Sequence, residues 1–84
     1  MQPVDIETRI AAAFPDAIVR VQSEDNTHFS ALVVAREFDS LRSIARHQLV
    51  YRSLGALVGN EIHALSIQAL TPDEWAARLT QDRA

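Results

Sequence analysis

Residues 17–36 read Ala-Ile-Val-Arg-Val-Gln-Ser-Glu-Asp-Asn-Thr-His-Phe-Ser-Ala-Leu-Val-Val-Ala-Arg, and their pattern decides the fold. In Ala17–Gln22 the apolar positions alternate: Val19 and Val21 point one way, Ile18, Arg20 and Gln22 the other. β-Branched residues at period two predict a strand. Ser23–Thr27 is a run of short polar residues that compete locally for backbone hydrogen bonds, which predicts a turn. His28–Arg36 predicts a second strand, and Leu32-Val33-Val34 is apolar on both faces. A strand covered on both faces sits inside a sheet. The two strands and their short connection predict an antiparallel hairpin with the second strand central.

On the N-terminal side, Ile6, Ile10 and Phe14 are four apart and share one helical stripe. Pro3 and Asp5 suit a helix start, and Pro15 stops the pattern, so an amphipathic helix over about 4–14 is predicted. On the C-terminal side, Leu41, Ile44, Ala45, Leu49, Val50, Leu54, Leu57 and Val58 keep helical spacing. Asp39 or Ser40 is the candidate N-cap, a kink or a break is expected near Arg46–Gln48, and Gly55 and Gly59-Asn60 weaken and end the segment. Ile62–Leu70 alternates again and predicts a third strand, and Thr71-Pro72-Asp73-Glu74 is a capping box opening a last helix.

The element order is therefore α-β-β-α-α-β-α. Strands two and three are joined through helix, which favours a parallel pairing. The predicted fold is α+β, a three-stranded mixed sheet with helices packed on it. It has the topology of KH-like (class II type) domains, in which helix separates strands two and three.

Eighty-four residues make a single domain, 1–84, with its core over about 4–79 and a polar tail, 80–84, expected to fray. There is no cysteine, so no disulfide supports the fold and the chain offers no thiolate. The longest apolar run is Ala31–Ala35, well short of the ~18 residues of a membrane span. No basic-then-apolar leader is visible, and the chain reads as a soluble cytoplasmic protein. The formal net charge is −3, and every positive charge is an arginine. Charge is uneven: residues 36–52 hold Arg36, Arg42, Arg46 and Arg52 against Glu37 and Asp39. That is one weakly basic stretch on an acidic molecule, either a solvated helix face or a phosphate-facing surface.

No glycine-rich phosphate loop, cysteine nucleophile or serine elbow is present, and the chain reads as non-enzymatic. The GXXG clamp of RNA-binding KH domains is also missing. Of the three histidines, His28, His47 and His63, no two share a helical metal-binding spacing. His28 opens strand two and His63 opens strand three, so parallel pairing would bring both to one edge of the sheet. Spacing alone favours ordinary surface or packing roles over metal ligation.

Beyond this patterning, Thr27-His28-Phe29, Phe38-Asp39, Arg46-His47-Gln48-Leu49-Val50-Tyr51, Ile62-His63-Ala64-Leu65-Ser66-Ile67 and Thr71-Pro72-Asp73-Glu74-Trp75 occur in one order. In sequence and spacing they resemble the BolA-like proteins over about residues 6–75. The resemblance implies the same KH-like fold and a non-enzymatic accessory role beside a monothiol glutaredoxin. In such pairs a [2Fe-2S] cluster is shared, with thiolates from the glutaredoxin and glutathione. The third-strand histidine, His63 here, is the constant ligand that the resemblance carries over. The family's second ligand is a histidine or cysteine in the loop between strands one and two. Here that loop is short, lacks the usual glycine-rich insertion and holds no cysteine. His28 is the neighbouring candidate, making this a short-loop, histidine-type member. Neutral imidazoles in place of thiolates reduce the cluster's negative charge and raise its potential, and they release the cluster as pH falls towards ~6.

The resemblance also implies an alternative, a DNA-binding transcriptional regulator using the arginine-bearing region 40–58 through Arg42, Arg46 and Arg52. Many relatives carry Gly-Lys after the Phe-Asp/Glu pair, where this chain has Ser40-Leu41-Arg42. A third reading is an adaptor that binds the glutaredoxin without metal. Trp75 is expected to pack the last helix on the domain, and Tyr51 to lie in the core or at its rim.

Overall fold

A computed structural model of the chain describes residues 1–58 and 64–82. The elements run α1 (Pro3–Ala13), β1 (Ile18–Gln22), β2 (His28–Val34), a 3-10 turn (Arg36–Phe38), α2 (Ser43–Leu54), a second 3-10 turn (Gly55–Leu57), β3 (Ala64–Leu70) and α3 (Pro72–Asp82). This is the predicted α+β fold.

β2 is central, antiparallel to β1 and parallel to β3. The register explains the alternation. Val19 faces Val33, which faces Ala69; Val21 faces Ala31, which faces Ile67; and Phe29 faces Leu65. These rows form the inner face of the sheet and pack with Ile6, Ile10 and Phe14 of the α1 stripe and Val50 and Leu54 of α2. A one-residue slip would turn every one of these side chains outward, so the register is fixed by burial. Phe38, at the end of the first 3-10 turn, is fully buried and lies 5.5 Å from the Phe14 ring at 56°. On the opposite face stand Arg20, Gln22, Ser30, Ser66 and Gln68. Val34 also points to that side yet is buried, as the apolar run in β2 requires.

Three local readings differ from the sequence patterning. α2 runs without interruption through Arg46–Gln48, so no break lies there. The bend comes at Gly55, whose φ of 58° and ψ of −133° suit glycine alone, and a 3-10 turn stands where a second α-helix was expected. Neither Asp39 nor Ser40 caps α2: Arg42 does, without a side-chain cap bond, because Ser40 takes a left-handed turn conformation with φ 66°. At the C-terminal end of the described residues, α3 runs through Asp82. The capping box is formed as predicted: Glu74 Oε1 accepts from Thr71 N–H at 2.8 Å, and Thr71 Oγ1 accepts from Glu74 N–H at 3.2 Å. Trp75 is half-buried, and Tyr51 stands 39% exposed at the rim. Among the described residues no helix is long and apolar enough to cross a membrane.

Candidate functional site

The hairpin turn holds His28 in a defined place. Five residues, Ser23–Thr27, connect β1 to β2, and Asn26 takes a left-handed conformation with φ 58°. Asn, with its short polar side chain, adopts that region at little cost. Asp25 bonds to the chain ahead of it: its Oδ1 accepts from Thr27 N–H and His28 N–H, both at 2.9 Å. Its Oδ2 lies 2.9 Å from His28 Nδ1. Ser23 Oγ donates to the His28 carbonyl at 2.6 Å and accepts from Asn26 N–H at 2.9 Å. The backbone of His28 is thus tied on both its N–H and its C=O.

These contacts set the charge state of the turn. The His28 backbone N–H, then its imidazole and the Thr27 N–H, stabilise the ionised carboxyl and hold Asp25 well below the usual carboxylate range. The His28 side chain is 72% exposed and borders an open groove of about 300 Å³ also lined by Gln22, Ser23, Glu24 and Ser30. Gln22 and Ser30 also border a larger open trough of about 590 Å³ along the outer sheet face.

His28 stands opposite Ala64 in the parallel register, and Ala64 follows His63 in the sequence. His63 itself lies outside the described residues. His47 is half-buried on α2, away from the hairpin turn in the chain. Among the described residues no three His, Cys, Asp or Glu side chains converge as a metal site. What His28 offers is an exposed imidazole with one ring nitrogen engaged by a carboxylate, the arrangement in which the other nitrogen can bind a metal.

The three arginines separate. Arg42 and Arg52 are exposed, at the N-cap and in the last turn of α2. Ten residues of helix put them ~15 Å apart along the axis. Arg46 is 14% exposed and committed to the fold. Its Nε donates to the Leu41 carbonyl at 2.8 Å, and its Nη1 donates to the Ala69 carbonyl at 3.0 Å and to Glu74 Oε1 at 2.6 Å. The expectation that Arg46 faces phosphate together with Arg42 and Arg52 is corrected by that geometry: the helix turns it inward, where it neutralises acceptors of its own chain. Sequence reasoning missed this role, and also missed Asp25. The signal for Asp25 was present as an Asp three residues before a His in a turn-forming run.

The comparisons with known proteins agree with this fold. A family model described as BolA-like protein matches residues 10–74. The "DNA-binding transcriptional regulator BolA" of Vibrio cholerae is 34% identical over 79 residues, covering 83% of this chain and 74% of the relative. Human BolA-like protein 1 is 33% identical over 79 residues, and the match spans 83% of this chain but only 58% of the human protein. The solved structure of a bolA protein homologue from Coxiella burnetii superposes with a TM-score of 0.76 at 36% identity, covering 90% of this chain and 97% of that one. With a family model matching residues 10–74 and a relative above 30% identity covered over most of its length, the chain belongs to the BolA-like family.

Proposed function

We propose that this protein is a non-enzymatic iron–sulfur accessory protein that joins a monothiol glutaredoxin and supplies imidazole ligands to a shared [2Fe-2S] cluster. The observation that carries the reading is His28: exposed, with Nδ1 engaged by Asp25, and opposite the residue that follows His63. A histidine ligand to a metal donates its other ring N–H to a carboxylate or carbonyl in most such sites, and His28 has that partner already. The chain has no cysteine, so the thiolates must come from the glutaredoxin and from glutathione. When bound, the cluster would supply a redox-active, transferable iron–sulfur unit. This chain's part is to dock the partner and present His63 and His28.

The test is reconstitution of the full chain with a monothiol glutaredoxin, glutathione, iron and sulfide, followed by visible absorption and circular dichroism. The wild type is expected to give a spectrum distinct from that of the glutaredoxin alone. His63→Ala should abolish that spectrum, and His28→Ala should alter it. An unchanged glutaredoxin spectrum with no mixed complex would overturn the reading. A complex that forms without any cluster signature, and is indifferent to both substitutions, would favour a metal-free adaptor.

DNA-binding regulation, which the name of the Vibrio relative states for that protein, is the second reading. In this chain it rests on Arg42 and Arg52, since Arg46 is spent internally.

A further inference from the structure

We infer that Asp25 is the positioning residue that makes His28 a ligand: it accepts the Nδ1 proton and so fixes the imidazole in the tautomer that leaves the Nε2 lone pair free. The inference rests on the cluster-sharing reading above and adds a residue to it.

The geometry of the turn carries the argument. A free histidine side chain exchanges between two neutral tautomers and several rotamers, and only a lone-pair nitrogen binds metal. An ionised carboxylate accepts and never donates, so a 2.9 Å contact from Asp25 Oδ2 requires the proton on Nδ1. The carboxylate is not free to swing away. Its other oxygen, Oδ1, is held by two backbone N–H groups, those of Thr27 and His28, each at 2.9 Å. The imidazole is therefore gripped through a group that is itself fixed to the consecutive backbone N–H groups of Thr27 and His28. Ser23 Oγ completes the frame by donating to the His28 carbonyl. A hydrogen bond from Nδ1–H to a carboxylate also increases the basicity of Nε2 as a ligand. Both Asp25 oxygens are engaged within the turn, Oδ1 by the two backbone N–H groups and Oδ2 by the imidazole, so Asp25 acts through His28 and not beside it.

Asp25→Asn separates this role from turn formation. The asparagine Oδ1 still accepts both backbone N–H groups, while its NH2 donates to His28 Nδ1 and favours the opposite tautomer. The experiment is a long-range proton–nitrogen correlation of the imidazoles in the metal-free full chain at about pH 8, above the ordinary histidine range. In the wild type His28 is expected as the Nδ1–H form. In Asp25→Asn the ratio of Nδ1–H to Nε2–H should fall by about tenfold, the equivalent of one charge-assisted hydrogen bond, with backbone amide shifts outside the turn unchanged. The same tautomer ratio in both proteins would overturn the inference, whatever the cluster does. In the reconstituted complex, Asp25→Asn should weaken or shift the mixed-complex spectrum in the same sense as His28→Ala, and spectra identical to wild type would also overturn it. Failure of the wild type to form any mixed complex is a different result. It removes the cluster reading itself, while the tautomer measurement judges Asp25 independently.

Discussion

The Arg46 guanidinium lies 2.6 Å from the Glu74 carboxylate, joining the first turn of α2 to the first turn of α3 across 28 residues of sequence. The same guanidinium takes up the carbonyls of Leu41, just before α2, and Ala69, near the end of β3. Glu74, for its part, closes the capping box on Thr71. One arginine therefore ties the entry to the crossover helix, the exit of the last strand and the start of the last helix into a single junction.

Removal of that arginine should be costly in a way a surface charge is not. Arg46→Ala leaves two carbonyls without their charged donor, and we expect a loss of ~2–3 kcal/mol in urea or thermal unfolding. Arg52→Ala, at an exposed position on the same helix, should stay within about 0.5 kcal/mol of wild type. Equal effects for the two substitutions would show that the junction contributes nothing beyond an ordinary surface pair.

Glu74 gives the junction a pH dependence with a definite sign. The Arg46 guanidinium, then the Thr71 N–H, pull its carboxyl down from the usual value of 4.5 to about 2. A carboxyl depressed in the folded state stabilises the fold above its unfolded pKa, and that contribution is lost as pH falls through the folded one. The melting temperature should therefore drop between about pH 4.5 and pH 2, and the drop should be shallower in Glu74→Gln. Parallel pH profiles for the two proteins would assign the acid sensitivity to other groups.

The hairpin, the α1 stripe and the capping box were legible in the sequence because each is dictated by neighbours in the chain. Val19 and Val21 alternate with polar residues, Ile6 and Ile10 sit one turn apart, and Thr71 and Glu74 are three apart. The parallel pairing of β2 with β3 followed from topology alone. The fate of Arg46 was not legible, because its acceptors lie at Leu41, Ala69 and Glu74, and only the folded chain brings the last two beside it. Composition marked residues 36–52 as basic, yet an arginine aimed inward contributes nothing to a surface field. The uninterrupted course of α2 was likewise hidden: the polar residues at Arg46–Gln48 look like a break, but Arg46 is satisfied by its own partners and costs the helix nothing. For the candidate site, sequence marked His28 but not the carboxylate that orients it, since a local Asp–His contact depends on the conformation of the turn.

Gly55 ends α2 through its backbone and not through lack of space. A Cβ built there meets nothing within 4 Å, so a steric clash is not the obstacle. With φ at 58° and ψ at −133°, however, an L-residue is strained. Gly55→Ala should therefore destabilise by ~1–3 kcal/mol despite the open surroundings, measured by chemical denaturation. A neutral effect would mean that the bend relaxes to another conformation without loss.

DNA binding can be judged by its salt dependence. If Arg42 and Arg52 are the phosphate contacts, the slope of log affinity against log salt should be about −2, since each neutralised phosphate contributes ~0.9. Arg42→Gln with Arg52→Gln should bring the slope close to zero, and neither exposed residue supports the core, so the double variant should melt like wild type. Arg46 is the wrong residue for this test: its substitution weakens the junction with Glu74, and lost binding would then report lost structure. A slope much steeper than −2 that survives in the double variant would place the contacts elsewhere on the molecule. With a net charge of −3 the chain brings no global attraction to a polyanion, so a weak, shallow dependence is the outcome that its charge distribution supports.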